Sequence, residues 1–345
     1  MAKILVTGGA GYIGSHTAIE ILEAGKYGVV SIDNLLNASD DSFPRIKQIT
    51  GKEVVNYAYD LVDYEKVRSV FEENSDIIGV IHFAALKSVG DSVEMPLQYY
   101  QNNFNSMINI LRCCEEFEVA NFIFSSSCSV YGNVEKLPVD ESTPVSDPES
   151  PYANTKLVGE RIIRDFMKAT DVVQAISLRY FNPVGAHASG LIGENPRNKP
   201  NNLVPIITAV ASGLMPKLTV FGDDYETRDG TCIRDYIHVS DIADAHVKAL
   251  DYLIENRNTE KYELFNLGSG NGVTVLEAIN AFEKVSGVSL NYILGERRPG
   301  DVVSIYSDSS LAKDKLGWVP SRDIEEMMSS AWKWQEAINS EKVSS

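Results

Sequence analysis

The chain has 345 residues, 44% hydrophobic and 23% charged, enough to bury a core without crosslinks, which excludes a disulfide-stapled peptide. With 31 Lys+Arg against 48 Asp+Glu the formal charge is −17, a field that repels phosphate backbones and anionic lipid. No nucleic-acid or membrane partner is expected, and an anionic small ligand has to be held by locally placed donors. Cys113, Cys114, Cys128 and Cys232 form no Cys-x-x-Cys pair, and no His stands at zinc-ligand spacing. Reduced thiols, no metal and a cytoplasmic location follow as expectations. The run from Met1 to Thr7 meets Gly8 too soon for a signal peptide, and no later run approaches about 18 uninterrupted apolar residues.

In chain order, short β-branched runs alternate with helical patterns, which predicts βαβ units and a parallel sheet covered on both faces. Buried strands are expected at Ile4–Val6, Val29–Ile32, Val54–Tyr57, Val80–Phe83, Phe122–Phe124 and Ala175–Leu178. Between them, Ile13, Thr17, Ile21 with Ala18, Leu22, then Val67, Val70, Phe71 and Ile108, Leu111, repeat with helical spacing. The fold class expected is α/β, a Rossmann-type doubly wound parallel sheet with a smaller mixed α/β C-terminal domain. After Phe181 prolines and glycines break the alternation, so the boundary is set there: residues 1–181 for the first domain, with a return of the chain near 236–253, and 182–345 for the second. Helices are expected in that second part at Leu203–Ala211, Val239–Leu253, Val275–Val285 and Glu325–Ala337.

Three motifs carry chemistry. Thr7-Gly8-Gly9-Ala10-Gly11-Tyr12-Ile13-Gly14 follows a strand and opens a helix, where glycines admit a pyrophosphate against the helix N-terminus. Asp33 stands 19 residues beyond Gly14 at the end of the second strand, placed to accept bonds from an adenosine ribose and to repel a 2′-phosphate, so NAD is the expected cofactor. Tyr152 and Lys156 project from one helix face, and the ammonium is expected to draw the phenol down toward a useful general base. Ser125, Ser126 and Ser127 leave the fifth strand at the edge where ligands bind, with turn-forming serines as the structural alternative. The five histidines show no metal or triad pattern and read as local hydrogen bonders.

With these motifs, and with His82–Lys87, Arg179–Ala186, Pro200–Leu203, Arg234–His238 and Arg297–Asp301, the sequence resembles the extended short-chain dehydrogenase/reductase family, in particular its nucleotide-sugar 4-epimerases, from Lys3 to about Trp334. The resemblance implies NAD-dependent, reversible inversion at C4 of UDP-galactose and UDP-glucose through a transient 4-keto sugar, in galactose metabolism. It makes Ser127, Tyr152 and Lys156 the catalytic group. It places NAD against Gly8, Gly11, Tyr12, Ile13, Gly14, Asp33, Asn34, Asn37, Asp60, Leu61, Phe83, Ala84, Lys87, Asn102 and Phe181 together with that group. It places the UDP-hexose against Lys87, Ser127, Tyr152, Asn182, Asn202, Leu203, Arg234, Tyr236, Arg298 and Asp301. It also implies a homodimer through helices around Gln98–Phe117 and Pro151–Met167.

Guanidinium groups at Arg234 and Arg298 suit a pyrophosphate because they offer planar paired donors, and a salt bridge to Asp235 or Asp301 is the structural alternative. Related nucleotide-sugar 4,6-dehydratases go on to eliminate water and need a carboxylic acid pair beside the catalytic Ser or Thr, where this chain has Cys128 and Ser129. Ile305 stands where family members carry a bulky or a small residue, which leaves room for N-acetylated sugars open. A related enzyme preferring UDP-GlcNAc or UDP-GalNAc is therefore one alternative, and a non-catalytic NAD-sensing protein is another, against which the intact Ser127, Tyr152 and Lys156 speak.

Overall fold

The computed structural model describes residues 1–145, 147–196, 200–298 and 301–344, without the side chains of the last three. Pro299, Gly300 and Ser345 of the segments named above lie outside the described residues. The strands in chain order are β1 Lys3–Thr7, β2 Gly28–Ile32, β3 Val55–Tyr57, β4 Ile77–His82, β5 Asn121–Ser125, β6 Gln174–Tyr180, β7 Asn182–Val184, β8 Leu218–Phe221, β9 Ile233–His238, β10 Tyr262–Leu267, β11 Gly272–Thr274, β12 Tyr292–Gly295 and β13 Ser304–Ile305. The helices are α1 Tyr12–Ala24, α2 Ser42–Thr50, α3 Tyr64–Glu73, α4 Val89–Glu94, α5 Pro96–Glu116, α6 Pro151–Ala169, α7 Leu203–Ala211, α8 Val239–Ile254, α9 Val275–Ser286, α10 Ser310–Leu316 and α11 Ile324–Ser344.

Seven strands form one sheet in the order β10-β6-β5-β4-β1-β2-β3, every pairing parallel. Continuous apolar runs such as Ile4-Leu5-Val6 are what such strands require, because helices cover both faces. One face packs under α1 and α8, with Ile19, Leu22, Ile242 and Leu250 among the buried side chains. The other packs under α3, α5 and α6, with Val67, Phe71, Met107, Ile110 and Ile163. The strand order reverses beside β1, and the loops leaving β1, β2, β4, β5 and β6 share one edge of the sheet, where a doubly wound fold binds ligands.

Three expectations need correction. The sheet has seven strands rather than six: β10 comes from beyond Phe181 and pairs with β6 from Tyr262↔Ala175 to Leu267↔Tyr180. Its half-polar pattern hid it, since Glu263 and Asn266 interrupt the apolar run. β3 is an edge strand with Val55 57% exposed, not a buried one. Ile108 faces outward while Leu111, on the same helix, is in the core.

Beyond β6 the chain builds a smaller sheet in which β9 pairs with β7, β11 and β13, and a two-stranded one of β8 and β12. Its core gathers Val184, Val204, Ile207, Phe282, Met327 and Met328 under α7, α9 and α11. Here Asn182 sits opposite Tyr236 and Ile305 opposite Arg234, so tertiary pairing brings together residues 54 and 71 positions apart. Trp332 meets Phe282 edge-on in this core.

Candidate active site

The first region grows out of the β1–α1 turn. Gly8 adopts φ +74, and a Cβ there would press on the Ala84 backbone, 3.0 Å away, so both residues lie in one tight crossing of the β1 and β4 loops. A Cβ on Gly14 would sit 2.2 Å from the Gly8 carbonyl, which is why the helix can start so close under the turn. Gly11 is the N-cap of α1 and no side chain caps that end, leaving the first-turn N–H groups of Tyr12, Ile13 and Gly14 aimed at whatever the turn holds. Asp33 leaves β2 and accepts from the Ala10 N–H at 3.0 Å and the Leu35 N–H at 2.9 Å, which turns its carboxylate toward the glycine turn. These residues fit a dinucleotide: uncapped donors for pyrophosphate, backbone space, and an oriented carboxylate for a ribose.

The other residues expected near a cofactor occupy the same edge. Asn34 and Asn37 are exposed in the loop after Asp33. Asp60 folds its side chain onto the Val62 N–H at 3.1 Å, and Leu61 is buried, its carbonyl held by Asn109 at 2.9 Å. Phe83 follows β4 and packs against the His246 ring at 4.6 Å. Asn102, on α5, donates to Asn103, which in turn clamps the Leu86 backbone and Thr155. Phe181 is buried with Leu157, Tyr131 and Ile305. Tyr12 reaches across to the loop after β7 of the smaller sheet, its hydroxyl donating to the Gly185 carbonyl at 2.6 Å.

The second region is the hydroxyl cluster after β5. Ser127 caps a short 3₁₀ turn, Cys128–Tyr131, accepting from the Ser129 N–H at 3.2 Å and from the Ser129 hydroxyl at 2.9 Å. The turn role read for these serines thus falls on Ser127. Tyr152 stands in the first turn of α6, whose N-cap Ser150 accepts from Ala153 and whose Pro151 suits the first helical position. The spacing predicts that Lys156 draws this phenol down, and the structure gives the opposite direction. Burial raises the Tyr152 phenol well above its ordinary value, the neighbouring Tyr180 adds to this, and a hydrogen bond with Ser127 only partly offsets it. The ammonium is instead turned to the Ser125 carbonyl at 2.7 Å, and lies 5.9 Å from the Tyr152 ring centre and 5.1 Å from that of Phe124. Burial lowers the lysine itself to about 8, with Glu160 pulling the other way.

Sequence reasoning missed what holds this cluster. Arg179 and Glu160 form a buried two-pronged ion pair, at 2.8 and 2.6 Å. Ser126 donates to the same carboxylate at 2.5 Å, fixing the backbone next to Ser127. Tyr180 shares a 2.5 Å hydrogen bond with Ser125. Glu160 lies four residues beyond Lys156, so a carboxylate inside an otherwise buried stripe was the signal available.

The third region lies on the smaller sheet. Arg234 donates to the Val302 carbonyl at 2.6 Å and stands 3.5 Å from Asp301, while the exposed Arg298 holds Asp301 with two hydrogen bonds, at 3.2 and 2.7 Å. Asp301, not Asp235, is thus the counter-ion of both arginines. Asp235 is fully buried and takes the Ser269, Gly270 and Ser307 donors instead. Tyr236 packs among the core side chains of this region. Asn202 is the N-cap residue of α7, followed by the half-buried Leu203. Glu194, also missed, accepts from Asn202 at 3.2 Å and lies 3.9 Å from Lys87. A cavity of about 450 Å³ opens beside Tyr12 and Glu194, between α7 and α11, away from Ser127 and Tyr152. Among the described residues no His/Cys/Asp/Glu group could hold a metal, and no helix is long and apolar enough to cross a membrane.

Residues 5–331 match the protein family described as GDP-mannose 4,6 dehydratase. A UDP-glucose 4-epimerase of Pasteurella multocida is 50% identical over 96% of this chain and 97% of its own length. Among solved structures, the UDP-glucose-4-epimerase of Stenotrophomonas maltophila, with bound NAD and formylated UDP-arabinopyranose, has a TM-score of 0.95 at 44% identity, covering 99% of this chain and 100% of that one. The UDP-glucose 4-epimerase of Bifidobacterium longum in complex with NAD+ and UDP has a TM-score of 0.92 at 45% identity, covering 97% and 98%.

Proposed function

Because the chain belongs to the family described as GDP-mannose 4,6 dehydratase, and within it to the UDP-glucose 4-epimerases, we propose that it is an NAD-dependent isomerase interconverting UDP-galactose and UDP-glucose. NAD, when bound, supplies reversible removal and return of hydrogen at C4 of the sugar. The β1–α1 turn, Asp33, Phe83 and Lys87 would hold it.

The observation that carries the reading is the placement of Ser127 beside the Tyr152 phenol, on the edge of the sheet that also carries the glycine turn. Tyr152 takes the 4-hydroxyl proton and later returns it, and Ser127, which can both donate and accept, holds the same oxygen. Because its own surroundings keep the phenol protonated, the base has to be produced by charge arriving with the ligands and by Lys156. Arg234, Arg298, Asn182 and Asn202 grip the UDP. A hexose held mainly through its nucleotide can turn its other face to the cofactor, which is what inversion needs. The 4-keto stage goes no further because Ser129 is engaged with Ser127 and burial pushes the Cys128 thiol up to about 12, so neither supplies an acid for eliminating water.

The same reading makes residues 1–181 with the later return of the chain the NAD-binding part, and the remainder the UDP-sugar-binding part. It also makes the protein a cytoplasmic homodimer through α5 and α6, which pack on each other and leave Leu97 81% and Ile108 37% exposed. Its four cysteines are all free.

The deciding experiment supplies purified protein with UDP-galactose and no added cofactor and follows the sugar by NMR. UDP-glucose is expected from the wild type, and Tyr152→Phe should retain NAD while losing about 10²–10⁴ in turnover. No product from NAD-containing wild type sinks the epimerase reading, and lasting accumulation of reduced cofactor would mark a net dehydrogenase.

A further inference from the structure

Glu194 has no part in the chemistry above, yet it sits between two residues that do. Its side chain is only 13% exposed, and its carboxylate takes the Asn202 amide at 3.2 Å and faces the Lys87 ammonium at 3.9 Å. Lys87 comes from the loop after β4, and Asn202 immediately precedes α7, so the carboxylate bridges the cofactor-side and sugar-side walls. The residue is anchored from behind: its carbonyl accepts from the Trp334 indole at 3.0 Å. A Cβ on the preceding Gly193 would lie 2.5 Å from that ring. The backbone that carries Glu194 is therefore fixed in place. Burial raises its carboxyl, while Lys87 and Asn202 pull it back toward the charged form that their contacts favour.

Two donors meant for an anionic nucleotide are thus already shared with a negative charge of the protein. We propose that Glu194 is an affinity-limiting residue, positioning Lys87 and Asn202 while its charge opposes the pyrophosphate of the UDP-sugar, so that product leaves an enzyme that keeps its cofactor. The inference rests on the nucleotide-sugar reading. It gives the net charge of −17 a local counterpart: repulsion at one fixed point between the walls, rather than only a diffuse field.

The test is calorimetric titration of the NAD-loaded enzyme with UDP. Glu194→Gln keeps an acceptor for Asn202 and removes the charge, and should bind UDP on the order of fivefold more tightly at low salt, the scale of one unit charge at about 4 Å in water. The gap should close at high salt, where a purely structural effect would persist. Glu194→Asp, which keeps the charge, should stay near wild type. In turnover the gain should fall on KM, with kcat moving less. Unchanged or weaker UDP binding by Glu194→Gln, while wild type binds UDP, overturns the proposal. Failure of the wild type to bind UDP at all overturns the nucleotide-sugar reading beneath it.

Discussion

The two regions proposed to hold anionic groups are built in different ways. On the cofactor side the donors are backbone N–H groups at an uncapped helix end, set by glycines with no space for a side chain. On the sugar side they belong to side chains, each already engaged by a carboxylate: Arg234 and Arg298 by Asp301, Asn202 by Glu194, which also faces Lys87 across from the cofactor side. Backbone donors are part of the fold and cost little to hold in place, which suits a group that stays bound. Side-chain donors held by acids have to exchange partners, which suits a group that comes and goes.

The largest expected effect that would sharpen this contrast is the response to acid. Burial holds His16 and His82 near 3 and His246 near 4, all three on the large sheet and its helices. Their folded values lie below the ordinary 6.5, so from there downward the unfolded chain takes up protons that the fold refuses, and stability is lost as pH falls. Each contributes about 1.4 kcal/mol per pH unit across that window. Glu20 acts oppositely: burial beside Asp244 and Glu23 raises it to about 7, so it gains its proton in the folded state first and returns part of the loss. Denaturation midpoints should drop between pH 7 and 5, and a flat profile would show that these histidines are not buried neutral.

A smaller effect is expected from Gly14→Ala. The added Cβ meets the Gly8 carbonyl at 2.2 Å, so the turn must open. Loss of co-purifying NAD and about 1–3 kcal/mol of stability should follow, read by cofactor content and thermal unfolding. Gly90→Ala, with nothing within 4 Å of its Cβ, is the control and should change neither. Full NAD content in Gly14→Ala would break the account of a backbone-built cradle.

The smallest change in stability belongs to Arg298→Ala. This arginine is 55% exposed, so its loss should move stability by less than about 1 kcal/mol and leave NAD content alone. KM for UDP-galactose should rise about tenfold, the scale of one charge-assisted hydrogen bond. A KM within twofold of wild type would remove Arg298 from the grip on the nucleotide.

Most of the large sheet was legible because a buried parallel strand has to be apolar on both faces, and Ile4–Val6 or Phe122–Phe124 can hardly be anything else. The glycine turn and the Asp33 carboxylate turned onto it were legible because their placement depends on local spacing. β10 was not, since Glu263 and Asn266 break its pattern, and only pairing with β6 makes it a strand of this sheet. Nor could the direction of the Tyr152 shift be read: spacing puts Lys156 on the same helix face, but the Ser125 carbonyl and the burial around both groups come from other elements.

Sequence alone determined the doubly wound sheet and the glycine turn after its first strand, because those follow from local periodicity and short-range spacing. Tertiary structure decided which charge meets which. It set Asp301 rather than Asp235 against the arginines, Glu160 against Arg179, and Glu194 between Lys87 and Asn202. The reason is physical: pairing energies depend on burial and on distances of a few ångströms, and residues far apart in the chain acquire both only when the sheets and loops are assembled.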